Sequence, residues 1–260
     1  ASLCIAGPGS GKTKVLTHRI GYLLSDDLRQ NGGSILAITF TNKAAAEMRQ
    51  RLERLIGSET AGRCTISTFH SFSAKLLRFY GAEYASQLTG SEAVDSSFTI
   101  CDQEDALKVV KELIKQELGA EDLTKLSIKP NAVLNAVNKI REAQVMTSYD
   151  CGGLVDTTEY KEILEGSGKT KTIRLARKIL PGYLERIYSA NSLDFEDLLL
   201  TSYKLLHIPD VLAKIQSRFR HILVDEYQDT NRTQYDLIKL LVTDGKDPQD
   251  VEDWSGRSVF

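Results

Sequence analysis

Apolar residues in this chain fall into short unbroken runs separated by longer amphipathic stretches, the alternation that argues a parallel α/β core. The runs at Leu3–Ala6, Ile35–Thr39, Thr65–Ser67, Phe98–Cys101 and Ile222–Asp225 read as buried strands. After the first run, Val15, Leu16, Ile20, Leu23 and Leu24 fall at helical spacing, so a helix starts near Lys12 or Thr13. From about Asp102 to Ser192 the pattern is almost wholly helical. "QEDALKVVKELIKQEL" and "PNAVLNAVNKIREAQ" are amphipathic, Pro130 stands at a helix start, and Gly152-Gly153 marks a break. A further helix, "TKTIRLARKILPGYLERIY", carries Ile173, Ala176, Ile179 and Leu180 on one face. Its other face is basic, with Lys171, Arg174, Arg177 and Lys178, either solvated or set against a phosphate backbone.

Composition narrows this picture only a little. A chain of 260 residues with 42% hydrophobic content can fill one large core or two small ones. It has no apolar run long enough to span a membrane, and no membrane association is expected. Cys4, Cys64, Cys101 and Cys151 lie far apart without metal-ligand spacing, which predicts reduced thiols in an intracellular, reducing compartment. The net charge of −2 does not mark a nucleic-acid binder. The part up to Cys101 leans basic and the part from Phe195 leans acidic, so a local phosphate-binding surface is compatible with the first part.

The hexapeptide "GSGKTK" changes the picture, and it occurs twice, at Gly9–Lys14 and at Gly166–Lys171. The first copy lies between the strand run "SLCIA" and the helix that follows. That order suits a phosphate loop, because glycines permit a tight turn that aims backbone N–H groups inward beside the positive helix end. Ala6, Gly7, Pro8, Gly9, Ser10, Gly11, Lys12, Thr13 and Lys14 are the predicted nucleotide-binding residues. Lys12 reaches the β- and γ-phosphates and the Thr13 hydroxyl ligates Mg²⁺. Ala6 stands where the common pattern has Gly, a minor departure. The second copy follows the charged, helix-like "DTTEYKEILE" and has Ile163 in that place, so Gly166–Thr170 reads as a flexible helix–helix connection. One nucleotide site is predicted, not two.

The metal partner comes far downstream, in "HILVDEYQDTN". Ile222, Leu223 and Val224 form a strand that ends in Asp225 and Glu226, where both carboxylates can face the phosphates. Asp225 is the predicted Mg²⁺-associated carboxylate and Glu226 the general base on the attacking water. These residues together predict Mg²⁺-dependent hydrolysis of a nucleotide.

"AGPGSGKT", "ITFTNKAAAEMRQRL", "ISTFHSF", "LDFEDLL" and "VDEYQDTN" occur in that order, and together resemble the UvrD/Rep/PcrA group of superfamily 1 DNA helicases. The resemblance covers nearly the whole chain and is weakest between about Glu104 and Ser192. It implies a RecA-like P-loop NTPase with a parallel sheet and a mostly helical inserted subdomain. The first motor domain is expected at 1–101 and 193–260, and the insertion at 102–192. The implied activity is an ATP- and Mg²⁺-dependent motor that translocates 3′ to 5′ on single-stranded DNA and unwinds duplex at single-strand/duplex junctions. By the same match Thr39, Phe40, Thr41, Asn42, Thr68 and His70 belong to the DNA groove, and Gln228 links the γ-phosphate state to that groove. An aromatic at Phe40 can stack a base without reading sequence, or serve as ordinary core. His70 is either a DNA contact or a hydrogen-bonded structural residue, and Asp197 either a motif residue or a helix cap.

The family has a Gln-containing segment ahead of the loop, a "GDxxQSIY" segment after the carboxylates, and a second motor domain with an arginine finger. This chain opens at "ASLCIAG" and stops at "RSVF", the expected start of the strand leading to the next motif, after the acidic linker that holds Trp254. It is expected to be a fragment that binds Mg-ATP weakly, hydrolyses it slowly and unwinds nothing. Two alternatives stay open: the motor region of a RecB/AddA-like helicase–nuclease, and a DNA-binding fragment without turnover of its own.

Overall fold

The computed structural model describes residues 2–5, 7, 9–27, 34–118, 128–149, 163, 171–243 and 257–260. Its strands are β1 (Ser34–Thr39), β2 (Cys64–Thr68), β3 (Thr99–Cys101), β4 (Ser192–Asp194), β5 (Phe219–Val224) and β6 (Ser258–Val259). The longer helices are α1 (Lys12–Asp27), α2 (Asn42–Ile56), α3 (Phe69–Leu76), α4 (Gln103–Leu118), α5 (Pro130–Ser148), α6 (Lys171–Ser189), α7 (Phe195–Leu206), α8 (Pro209–Arg218) and α9 (Arg232–Thr243). Contacts divide the chain into two compact units, Ala1–Ser73 with Leu206–Phe260, and Ala74–Leu205.

The first unit holds a four-stranded sheet of order β2-β1-β5-β6 in which every pair is parallel. Ile35, Ala37, Cys64, Ile66 and Leu223 belong to one apolar cluster with Leu16, Ile20, Leu23 and Leu24 of α1 and Met48 and Leu52 of α2. Each fully buried Leu or Ile there contributes about 1.5–3 kcal/mol. Leu36 and Ile38 alternate to the opposite face and are equally buried. On α1 the expected apolar stripe holds except at Val15, which is exposed because it starts the helix beside the loop.

The run Leu3–Ala6 departs from expectation. Leu3 and Ile5 are 68% and 88% exposed and form no strand. Ser2 N donates to Val259 O at 3.0 Å, which sets the segment beside β6, on the side away from β5. β6 spans Ser258–Val259. Ala6 itself lies outside the described residues.

The second unit packs α4, α5 and α6 around Val110, Ile114, Val133, Val137, Ile140, Ala176, Ile179 and Tyr183. Pro130 opens α5 as its fixed φ allows. The basic side of α6 is engaged with its own unit: Lys178 pairs with Glu117, Arg177 donates to Ile163 O, and Arg186 donates to Glu112 at 2.8 Å. The Phe98–Cys101 run forms β3, but β3 pairs with β4 in a separate two-stranded sheet and does not join the main one. Gly152-Gly153, Trp254 and the connection read at Gly166–Thr170 lie outside the described residues.

Under β4 sits a buried charged cluster. Arg141 of α5 donates to Asp194 at 2.7 and 3.2 Å and also to Asp197. Tyr183 donates to Asp194 at 2.6 Å, and Tyr188 to Asp197 at 2.7 Å. Asp194 and Asp197 also cap α7 reciprocally. Asp197 N donates to the Asp194 carboxylate at 2.7 Å, and Asp194 N to the Asp197 carboxylate at 3.2 Å. Burial raises Asp197 to about 6 despite Arg141, and the Asp194 charge adds to that rise. At Asp194 burial is outweighed by Arg141, and the carboxyl is held below its usual range.

Candidate functional site

The loop after Ile5 turns on two glycines in the left-handed region, Gly9 at φ +75° and Gly11 at φ +91°. A Cβ on Gly11 would meet nothing nearer than Lys14 Cβ at 3.9 Å, so the backbone, not crowding, requires glycine there. Ser10 closes the turn by donating its hydroxyl to Gly7 O at 2.5 Å. Lys14 N and Val15 N both donate to Gly11 O, at 2.8 and 3.0 Å, which starts α1 at Lys12 as expected. Lys12 and Thr13 are half-buried, while Ser10 and Lys14 are exposed. Ala6 and Pro8 lie outside the described residues.

Across from the loop, β5 ends at Val224 and delivers Asp225, whose N–H donates to Ile38 O at 2.9 Å. Glu226 follows in the left-handed region at φ +51°. Its carboxylate accepts from the Gln228 amide at 2.5 Å and stands 3.7 Å from Lys12 Nζ. Burial raises the Asp225 pKa, and the neighbouring Glu226 charge raises it further. Lys12, Asp225, Glu226 and Gln228 line one cavity of about 850 Å³. Tyr227 and Tyr235 also line it, with ring centroids 6.5 Å apart, and no spacing in the sequence marks them as site residues. Among the described residues no group of three or more His, Cys, Asp or Glu could hold a metal by itself.

The residues expected in the DNA groove gather at the neighbouring strand ends. Thr39 and Thr68 are register partners on β1 and β2, and Phe40 meets Phe69 edge-on at 5.8 Å. Thr39 and Thr68 are buried, and their hydroxyls serve local turns. Thr39 donates to Thr41 O at 3.1 Å, and Thr68 accepts from Ser71 N at 3.1 Å. These two side chains therefore face inward. Thr41 caps α2 by accepting from Ala44 N at 3.0 Å. Thr41 and Asn42 are exposed, whereas Phe40 and His70 are half-buried. Burial lowers the His70 pKa.

A parallel sheet, a glycine loop opening the first helix and a carboxylate pair at the end of a strand not adjacent to the loop define the P-loop NTPase class. The UvrD/REP helicase N-terminal domain family matches residues 1–250, and the chain belongs to that family. It is similar to the ATP-dependent DNA helicase PcrA of Staphylococcus aureus (strain Mu50 / ATCC 700699), at 34% identity over 99% of this chain and 32% of the relative. It is also similar to the ATP-dependent DNA helicase UvrD1 of Mycobacterium tuberculosis (strain CDC 1551 / Oshkosh), at 38% identity over 95% of this chain and 29% of the relative. The chain thus spans about a third of the length of these curated relatives.

Proposed function

We propose that this chain is the first motor domain of an ATP-driven DNA helicase that moves 3′ to 5′ along single-stranded DNA and opens single-strand/duplex junctions. The motor would comprise residues 1–101 and 193–260, with 102–192 as its helical insertion. The observation that carries the reading is the convergence of Lys12, Asp225, Glu226 and Gln228 on one cavity beside the glycine loop. Family membership and relatives named ATP-dependent DNA helicases support it.

In this reading the loop from Ala6 to Lys14 cradles the phosphates of ATP with backbone N–H groups, and Lys12 neutralises the terminal phosphate. Mg²⁺ takes few protein ligands and relies on phosphate oxygens and water, which suits a donor set of the Thr13 hydroxyl and the Asp225 carboxylate. When bound, it neutralises charge on the β- and γ-phosphate oxygens. Glu226 accepts the proton of the attacking water, and Gln228, bonded to Glu226, passes the state of the phosphate toward the DNA groove. Phe40, Thr41, Asn42 and His70 form the groove surface, and Thr39 and Thr68 act beneath it by fixing the turns that present them.

Among the described residues no helix is long and apolar enough to cross a membrane, and Cys4, Cys64 and Cys101 are free thiols. The free thiols suit a reducing, intracellular setting. The test is titration of a fluorescent ATP analogue with Mg²⁺ against the chain, Lys12→Ala and Lys169→Ala. Binding is expected to vanish only in Lys12→Ala. Binding that survives Lys12→Ala, or is lost in Lys169→Ala, overturns the assignment of the site.

A further inference from the structure

Glu226 is held from two directions. Gln228, two residues on, donates to Oε2 at 2.5 Å, and Lys12, from the opposite wall of the cavity, stands 3.7 Å from the same oxygen. The backbone at Glu226 takes a left-handed conformation at φ +51°, which in a non-glycine residue persists only where surrounding contacts hold it. The side chains of Lys12 and Glu226 are 28% and 40% exposed, so water and ligands can reach the pair and exchange it. The ammonium that would neutralise a phosphate and the carboxylate that would take a proton from water are therefore engaged with each other.

We propose that the Lys12–Glu226 ion pair is an autoinhibitory contact that the nucleotide itself opens. The inference rests on the nucleotide reading above. A terminal phosphate seated in the glycine loop competes with the Glu226 carboxylate for the Lys12 ammonium. When the phosphate takes it, the carboxylate is left with Gln228 and is free to accept a proton. No covalent bond changes in this exchange. One cation leaves a carboxylate for a phosphate, and the base becomes available only when there is something to hydrolyse.

The pair has a measurable consequence, because it must be broken for nucleotide to bind. Removing the Glu226 charge should tighten nucleotide binding. A carboxylate that merely repels phosphate through its field would tighten it too, so a neighbouring carboxylate outside the 3.7 Å contact serves as control. Binding of a non-hydrolysable ATP analogue is measured in EDTA, without Mg²⁺, for the chain, Glu226→Gln, Asp225→Asn and Lys12→Ala, with thermal melts confirming that each is folded. Glu226→Gln is expected to bind about two- to fivefold more tightly than the unmodified chain, the range for a solvent-exposed ion pair. Asp225→Asn should change binding less. Equal tightening in Glu226→Gln and Asp225→Asn means a general field and overturns the proposal, as does no change in Glu226→Gln. If the unmodified chain and Lys12→Ala bind equally or not at all, the nucleotide reading fails, and the proposal with it.

Discussion

Thr39 and Thr68 stand side by side as register partners at the ends of neighbouring parallel strands, each followed by a phenylalanine, and the two rings meet edge-on at 5.8 Å. Two segments far apart in the chain thereby present one continuous edge. If that edge carries single-stranded DNA, Phe40 is its stacking surface. Phe40→Ala should weaken binding by about 1–3 kcal/mol, the range for one stacked base. That is roughly a 5- to 150-fold rise in Kd, with nucleotide affinity unchanged. Fluorescence anisotropy with a labelled oligonucleotide, at fixed salt, measures it. Thr39→Val, which removes the hydroxyl bonded to Thr41 O, should lower the melting temperature and weaken DNA binding less than Phe40→Ala does.

Gly11→Ala forces a non-glycine residue to φ +91° at the start of α1. The added Cβ finds open space, so the penalty is backbone strain of about 1–3 kcal/mol and not a clash. The loop is expected to relax out of its turn, and nucleotide affinity to fall while the rest of the unit stays folded. Isothermal titration with far-UV circular dichroism on the same sample separates the two effects.

Arg141→Met removes the guanidinium and leaves two buried carboxylates facing each other. Breaking a buried pair in this way costs about 3–5 kcal/mol. Unfolding in urea should show that loss. Arg141→Lys should recover only part of it, since an ammonium cannot bond both carboxylates in the fork geometry that Arg141 uses. Equal stability of Arg141→Met and the unmodified chain would show that the cluster does not hold this unit together.

Stability should also depend on pH through the same cluster. Asp197 is raised from 3.8 to about 6, so the folded chain keeps a proton that the unfolded chain has already lost. Its contribution to stability is greatest below 3.8, falls as pH rises toward about 6 and is flat above. Glu196, raised by burial from 4.5 to about 7, acts in the same direction over an overlapping interval that reaches higher pH. Asp194 is lowered, and its contribution is present above 3.8 and lost only in stronger acid. Melting curves from pH 4 to 8 should show a smaller fall with rising pH in Asp197→Asn than in the unmodified chain.

The strands at Ile35–Thr39 and Ile222–Asp225 were legible because unbroken apolar runs ending in polar groups have few other uses. β1 and β5 answer to them within a few residues. The glycine loop was legible for the same reason at finer grain: glycine is the residue that adopts the angles found at Gly9 and Gly11 without strain. β4 escaped notice because Ser192–Asp194 has one apolar residue and therefore no period. Arg141 escaped it because a charged residue on an amphipathic helix reads as its wet side. Its partners lie 53 and 56 residues away, where no local pattern can announce them. Leu3 and Ile5 form no strand although their run is apolar, because an apolar run alone does not specify the partner that would bury it.

The position of β6 sets the spacing of the two walls of the cavity. It separates the segment at Ser2, which leads into the loop, from β5, which leads into Asp225 and Glu226. Two strand spacings, roughly 10 Å, therefore lie between the two walls. Among the described residues no ladder hydrogen bond joins one wall directly to the other. What spans that gap is a side-chain contact, Lys12 to Glu226 at 3.7 Å, which a ligand can replace.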